Sequence, residues 1–120
     1  MIKGLKFAGI ATRDQARAVA FWTDKVGFRV MTDQPMGNQR WIELGIGKSD
    51  TRIVLFTPPG HEDRIGTFFH GSFACDDVDA TWKQMTAKGV EFTAPPKKES
   101  WGTSAIFKDP DGNSFVLSSG

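Results

Sequence analysis

Half-length internal repetition is the feature that most restricts this chain. The stretch "FAGIATRDQARAVAFWTDKVGF" near the start and "HGSFACDDVDATWKQMTAKGVEF" near the middle share one layout: an apolar strand, a polar turn, an amphipathic helix and a glycine stop. Ala18 and Ala80, and Gly27 and Gly89, stand 62 residues apart, whereas Phe7 and His70 align at 63, so one residue slips between strand and helix. A period this long means two copies of one supersecondary unit rather than a solenoid.

In the first copy Asp14 is placed to cap the helix, Ala18, Val19, Trp22 and Val26 form its apolar stripe, and Gly27 ends it. In the second, Asp76 or Asp77 caps, and Val78, Trp82 and Met85 follow helical spacing before Gly89. Three strand-like runs trail each helix: Phe28–Asp33, Arg40–Gly45 and Thr51–Thr57, then Val90–Thr93, Trp101–Lys108 and Ser114–Ser118. The last two are joined by "DPDGN", a turn in which Pro110 fixes φ and Gly112 allows it to be positive. The pattern is β-α-β-β-β twice within a single domain spanning 1–120. Module one covers about 1–58, a linker 59–66, and module two about 67–120. The Pro-rich "APPKKESWG" reads as a loop at the place of "DQPMGNQ" in the first copy. The class is α+β, with helices covering one face of each sheet.

Strand alternation then assigns faces. Ala8 and Ile10 are expected under the first helix, with Phe7, Gly9 and Ala11 on the open side. Phe69 and Phe73 belong under the second helix, leaving His70, Ser72 and Ala74 open. On the run before the linker, Val54 and Phe56 are expected against the helix and Ile53, Leu55 and Thr57 opposite. Phe115 and Leu117 share one face of the last strand, and Val116 takes the other.

Composition excludes several kinds of partner. Fifteen basic and 14 acidic residues leave a formal charge of +1, too little field to hold nucleic acid or an anionic membrane. No segment approaches a membrane span, and the N-terminus lacks a signal-peptide layout, so a cytoplasmic setting is expected. One cysteine, Cys75, rules out an internal disulfide and a cysteine-cluster metal site. The absence of tyrosine removes a phenol as acid, base or oxyanion donor.

The paired βαβββ units, "RDQARAVAFW…VGF", "CDDVDATWKQMTAKGVEF" and above all the terminal "FKDPDGNSFVL" resemble the vicinal oxygen chelate superfamily, which includes glyoxalase I, extradiol dioxygenases and bleomycin-resistance proteins. The resemblance spans nearly the whole chain. It implies curved mixed sheets forming two cup-shaped half-barrels, helices outside, and a homodimer. It also implies four inward positions that in catalytic members hold a divalent metal; here they fall on Phe7, Leu55, His70 and Val116. Three of these cannot ligate, and one imidazole leaves a divalent ion nearly hydrated. The apolar walls would also make an unneutralised charge costly to bury.

The expected function is therefore a metal-independent small-molecule binding protein without cofactor, of the glyoxalase/bleomycin-resistance type. Its aromatic cleft would be lined by Phe7, Leu55, His70, Val116, Trp41 and Trp101. The alternative is a divergent glyoxalase-like lyase, isomerase or dioxygenase in which His70 serves as catalytic base or sole retained ligand, with Glu43 assisting. His61, Glu62 and Asp63 read as a solvated linker rather than a metal cluster. Cys75 reads as a small core residue. Trp22 and Trp82 belong to helix stripes and the core. Trp41 and Trp101 are better placed as walls for a planar or apolar ligand.

Overall fold

The computed structural model describes residues 1–67 and 71–119. Strand β1 (Phe7–Ala11) leads into helix α1 (Gln15–Ala20), and β2 (Arg29–Met36), β3 (Gln39–Gly45) and β4 (Arg52–Phe56) complete the first half. The second half comprises β5 (Gly71–Ala74), α2 (Val78–Ala87), β6 (Glu91–Phe92), β7 (Lys97–Glu99), β8 (Gly102–Lys108) and β9 (Ser114–Ser118). Strand orders β1-β4-β3-β2 and β5-β9-β8-β6 are the same path drawn twice, each with one parallel pair at its edge and antiparallel pairs beyond. These are two unclosed mixed sheets of an α+β fold.

The helix ends follow from their caps. Asp14 accepts a hydrogen bond from the Arg17 N–H at 3.0 Å, and Asp77, not Asp76, accepts one from the Ala80 N–H at 3.0 Å. Gly27 stops the first helix with φ 94°, a left-handed conformation that glycine adopts without steric cost. Between α1 and Gly27 the chain widens into a π-helical stretch, Phe21–Val26. That departure from 3.6 periodicity turns both Phe21 and Trp22 inward.

Both halves share one core. Trp22, fully buried, stacks on Phe28 at 5.3 Å. It also crosses to the second sheet, meeting Phe115 edge-on at 5.0 Å and Phe73 at 5.8 Å. Burying a side chain of this size stabilises the fold by roughly 4 kcal/mol or more. Trp82, by contrast, is only half-buried and lies outside this cluster.

A second tie joins the halves at the "DPDGN" turn. The Asp111 carboxylate accepts from the Thr12 hydroxyl at 2.5 Å, the Arg13 N–H at 3.0 Å and the Arg17 guanidinium at 3.1 Å. Beside it, Asn113 donates to the Ala11 carbonyl at 3.0 Å. Within the turn, the Asp109 carboxylate accepts from the N–H groups of Asp111 and Asn113. Burial raises the Asp109 pKa above the ordinary carboxylate range, partly offset by these hydrogen bonds.

Three local expectations change. The stretch "DQPMGNQ" is not an open loop: β2 runs on to Met36 and turns tightly at Gly37, whose φ is 63°. The Pro-rich stretch after β6 contains β7, which pairs with β8. The third concerns β4. Ala8 pairs with Ile53 and Ile10 with Leu55, so Ile53 and Leu55 face the helix, and Leu55 is fully buried in the core. Val54 takes the other face, opposite Gly9 and Glu43. "RIVLF" is apolar on both faces, so alternation within it carries no sign; the parallel partner β1 sets the parity.

Candidate functional site

With parity fixed, the open face of the first sheet carries Phe7 and Gly9 from β1, Trp41 and Glu43 from β3, and Arg52 and Val54 from β4. Phe7, 39% exposed, meets Trp41 edge-to-face with ring centroids 5.5 Å apart. The Trp41 indole N–H donates to Glu43 Oε2 at 2.7 Å, and Arg52 donates to Glu43 Oε1 at 2.9 Å. Trp41 and Glu43 meet because residues two apart on a strand share a face. The hydrogen bond from Trp41, then that from Arg52, holds the Glu43 pKa below the ordinary carboxylate range. The result is an aromatic wall ending in a pre-oriented carboxylate that favours its ionised form. Gly9 is where the Phe56 ring packs against β1: a Cβ there would stand 2.8 Å from that ring.

Val116 is central to the open face of the second sheet, in register with Ser72 on β5 and Ile106 on β8. Phe115 and Leu117 point the other way, into the core. Gly71, Ser72, Ile106, Ser114 and Val116 line a shallow depression of about 450 Å³. The Ser72 and Ser118 hydroxyls lie 2.8 Å apart along its edge.

The residues singled out from sequence thus separate into groups. Phe7 and Trp41 come together; Val116 occupies the corresponding face of the other sheet. Leu55 is corrected: it is a core residue on the helix side, and its open-face neighbour Val54 is equally unable to ligate. Trp101 stands in the turn between β7 and β8 and is 57% exposed. His70, and Phe69 before it, lie outside the described residues. His61 precedes a short 3-10 turn, Glu62–Arg64, on the exposed linker. Cys75 is half-buried, its Sγ 3.0 Å from the Thr81 hydroxyl. The residue that sequence reasoning missed is Arg52, and its alternation with Val54 and Phe56 is the signal that could have found it.

A divalent metal of the kind implied for catalytic relatives does not fit these side chains. Among the described residues no group of three His, Cys, Asp or Glu converges. Glu43 already has both oxygens engaged.

Repeated βαβββ halves with open-faced mixed sheets define a class of small ligand-holding and metal-chelating proteins. The chain belongs to the Glyoxalase/Bleomycin resistance protein/Dioxygenase superfamily, whose family model matches residues 4–117. It is 37% identical to YetH of Bacillus subtilis (strain 168) over 121 residues, 98% of each chain. Among solved structures it resembles UcmS2, with TM-score 0.89 and 31% identity over 98% of each chain. It also resembles TnmS3, an antibiotic binding protein from Streptomyces sp. CB03234, with TM-score 0.87 and 32% identity, covering 98% of this chain and 96% of that one.

Proposed function

We infer that this chain binds a small organic molecule, of the size of an antibiotic, on the open faces of its sheets and does so without a metal ion. The observation that carries the reading is chemical: Phe7, Val54 and Val116 stand on the strands where catalytic relatives hold a cation. None of the three offers a lone pair to a divalent ion, and Phe7 and Val116 present carbon surface that suits an apolar ligand, Val54 itself being buried. The likeness to an antibiotic binding protein supports the same reading. Phe7, Trp41, Val116 and Trp101 form the contact surface, with Glu43 offering an acceptor to a ligand donor.

The contacts joining the halves within one chain, through Trp22, Asp111 and Asn113, leave Phe7 and Ile106 well exposed on the open faces. A homodimer, in which a second copy covers these faces, completes the cleft. A cytoplasmic location fits a single cysteine and, among the described residues, no helix long and apolar enough to cross a membrane.

The test is a thermal-shift screen of chelator-treated protein against small-molecule antibiotics, bleomycin included, with the tryptophan fluorescence change that Trp41→Ala removes as a second readout. A true ligand at 100 times its Kd raises stability by about 2.7 kcal/mol. Binding should survive chelation and weaken in Trp41→Ala and Val116→Glu. A stoichiometric divalent ion whose removal abolishes lyase or dioxygenase turnover would overturn the reading. So would turnover that His70→Ala erases while binding persists; that result would make the protein an enzyme.

A further inference from the structure

The repeat creates two equivalent junctions between the halves, and they are built differently. At one, Asp111 ties the β8–β9 turn to Thr12 and Arg17. At the other, the strand pairing puts Cys75 at the place of Thr12, and the matching strand-to-strand turn puts Ser49 at that of Asp111. The caps Asp14 and Asp77, which accept from the N–H groups of Arg17 and Ala80, put Ala80 at the place of Arg17. The equivalence is visible in the backbone: Thr12 N–H donates to the Phe56 carbonyl, and Cys75 N–H donates to the Ser118 carbonyl, both at 2.9 Å. The second junction has therefore lost carboxylate, hydroxyl and guanidinium together. In their place is a cavity of about 620 Å³, reached by Ile46 and Lys48 from one half and by Cys75 and Thr81 from the other.

We propose that this cavity is a second binding site, sharing only Gly71 and Ser72 with the depression on the open face of the second sheet, and that it takes an aliphatic carboxylate of roughly eight to twelve carbons. Val26, Phe28, Ile53, Phe73, Phe107 and Leu117 supply its apolar walls. Lys48 is the one charged side chain among the described lining residues, and among the described residues it forms no ion pair. The lining hydroxyls of Thr51 and Thr81 already donate to the carbonyls of Leu5 and Asp77. Ser49 only accepts, from the Thr51 N–H. The Ser72 hydroxyl is paired with that of Ser118. The donors left over are thus the Lys48 ammonium and the Ser49 hydroxyl, neighbours in the chain and both exposed where they line an otherwise apolar space. An acceptor-only anionic head on a hydrocarbon tail satisfies both, whereas an amine would meet Lys48 with like charge. Closure of this junction by the clasp residues of the other would have filled the space.

Titration of the full chain with submicellar octanoate and decanoate, by calorimetry, tests this directly. Saturable one-to-one binding is expected, tightening about fourfold per added CH₂. Lys48→Glu should weaken decanoate at least tenfold and leave decanol unchanged; decylamine should not bind the wild type. Ala8→Leu, which adds bulk to the lining, should weaken acid and alcohol alike. If that variant does not fold, the exposed Lys48→Glu decides alone. The proposal fails if decanoate does not saturate or if Lys48→Glu binds it equally well. It fails too if Lys48→Glu dissociates a dimer while decanoate binding is absent, which would make the cavity a contact between copies.

Discussion

Replacing Asp111 by Ala puts the clasp between the halves to a quantitative test. Its side chain is fully buried where it meets Arg17, and the Thr12 hydroxyl it accepts is buried as well. Truncation removes the charged acceptor of that hydroxyl, a bond contributing about 1.5–3 kcal/mol even though the hydroxyl keeps its 3.1 Å bond to the Asp14 carbonyl. It also takes the side-chain partner from the Arg13 N–H, at about 1–3 kcal/mol. The Arg17 pair adds less, about 0–1 kcal/mol, because the guanidinium is half in solvent. A loss of about 3–5 kcal/mol follows, a large part of the ~5–15 kcal/mol that holds a domain folded. Urea unfolding followed by circular dichroism should show the midpoint falling with little change in slope. Asp111→Asn, which keeps the shape and one acceptor, should lose roughly half as much. The decisive comparison is the double-mutant cycle with Thr12→Val, which removes the donor as well. If the two losses simply add within about 0.5 kcal/mol, the clasp is not a coupled unit and the reasoning is refuted.

Other perturbations follow from the same geometry. Gly9→Ala places a methyl 2.8 Å from the Phe56 ring and should cost about 1–3 kcal/mol by thermal melt, with Phe56→Leu in the same chain recovering part of the loss. Phe115→Ala empties the centre of the shared core and should cost about 3–5 kcal/mol, read from urea unfolding. Glu43 has a depressed folded pKa, so its contribution is present above the unfolded carboxylate value and is lost as pH falls through the folded one. The stability gap between wild type and Glu43→Gln should therefore be full at pH 6–7 and close in acid; a gap unchanged at pH 2.5 contradicts the assignment. Asp109 works with the opposite sign: its raised pKa means that this group adds stability as pH falls toward 4. Asp109→Ala should abolish that increment in a pH series of thermal melts.

Much of this architecture is legible in the chain because the repeat states it twice. Asp14, Gly27, Asp77 and Gly89 announce helix ends through capping chemistry that needs no tertiary context. Alternation in "SFVLS" is clean, so Val116 could be assigned to the open face directly. The strand "RIVLF" is harder to read for the complementary reason: its centre, Ile53 to Leu55, is apolar and buried on both faces, so alternation alone puts Leu55 on the open side, whereas its register with Ile10 sets it under the helix. The loop that hides β7 shows another limit, since "KKE" has weak strand propensity and is recruited by the edge of β8. Trp41, Glu43 and Arg52 form one cluster although Arg52 enters from a neighbouring strand, a juxtaposition fixed by sheet order rather than local pattern. The bond between Asp111 and Thr12 is likewise invisible locally, because 99 residues separate its ends.

That separation has a bearing on how the protein is made. Thr12 leaves the ribosome early, while its anchor is still untranslated message. The amino-terminal half must wait for nearly the whole chain before the loop can close and its first helix is tethered. A nascent polypeptide stopped before Asp111 would carry all of one copy and most of the next yet lack the rivet between them, leaving quality-control proteases a natural point of discrimination between finished and abandoned products.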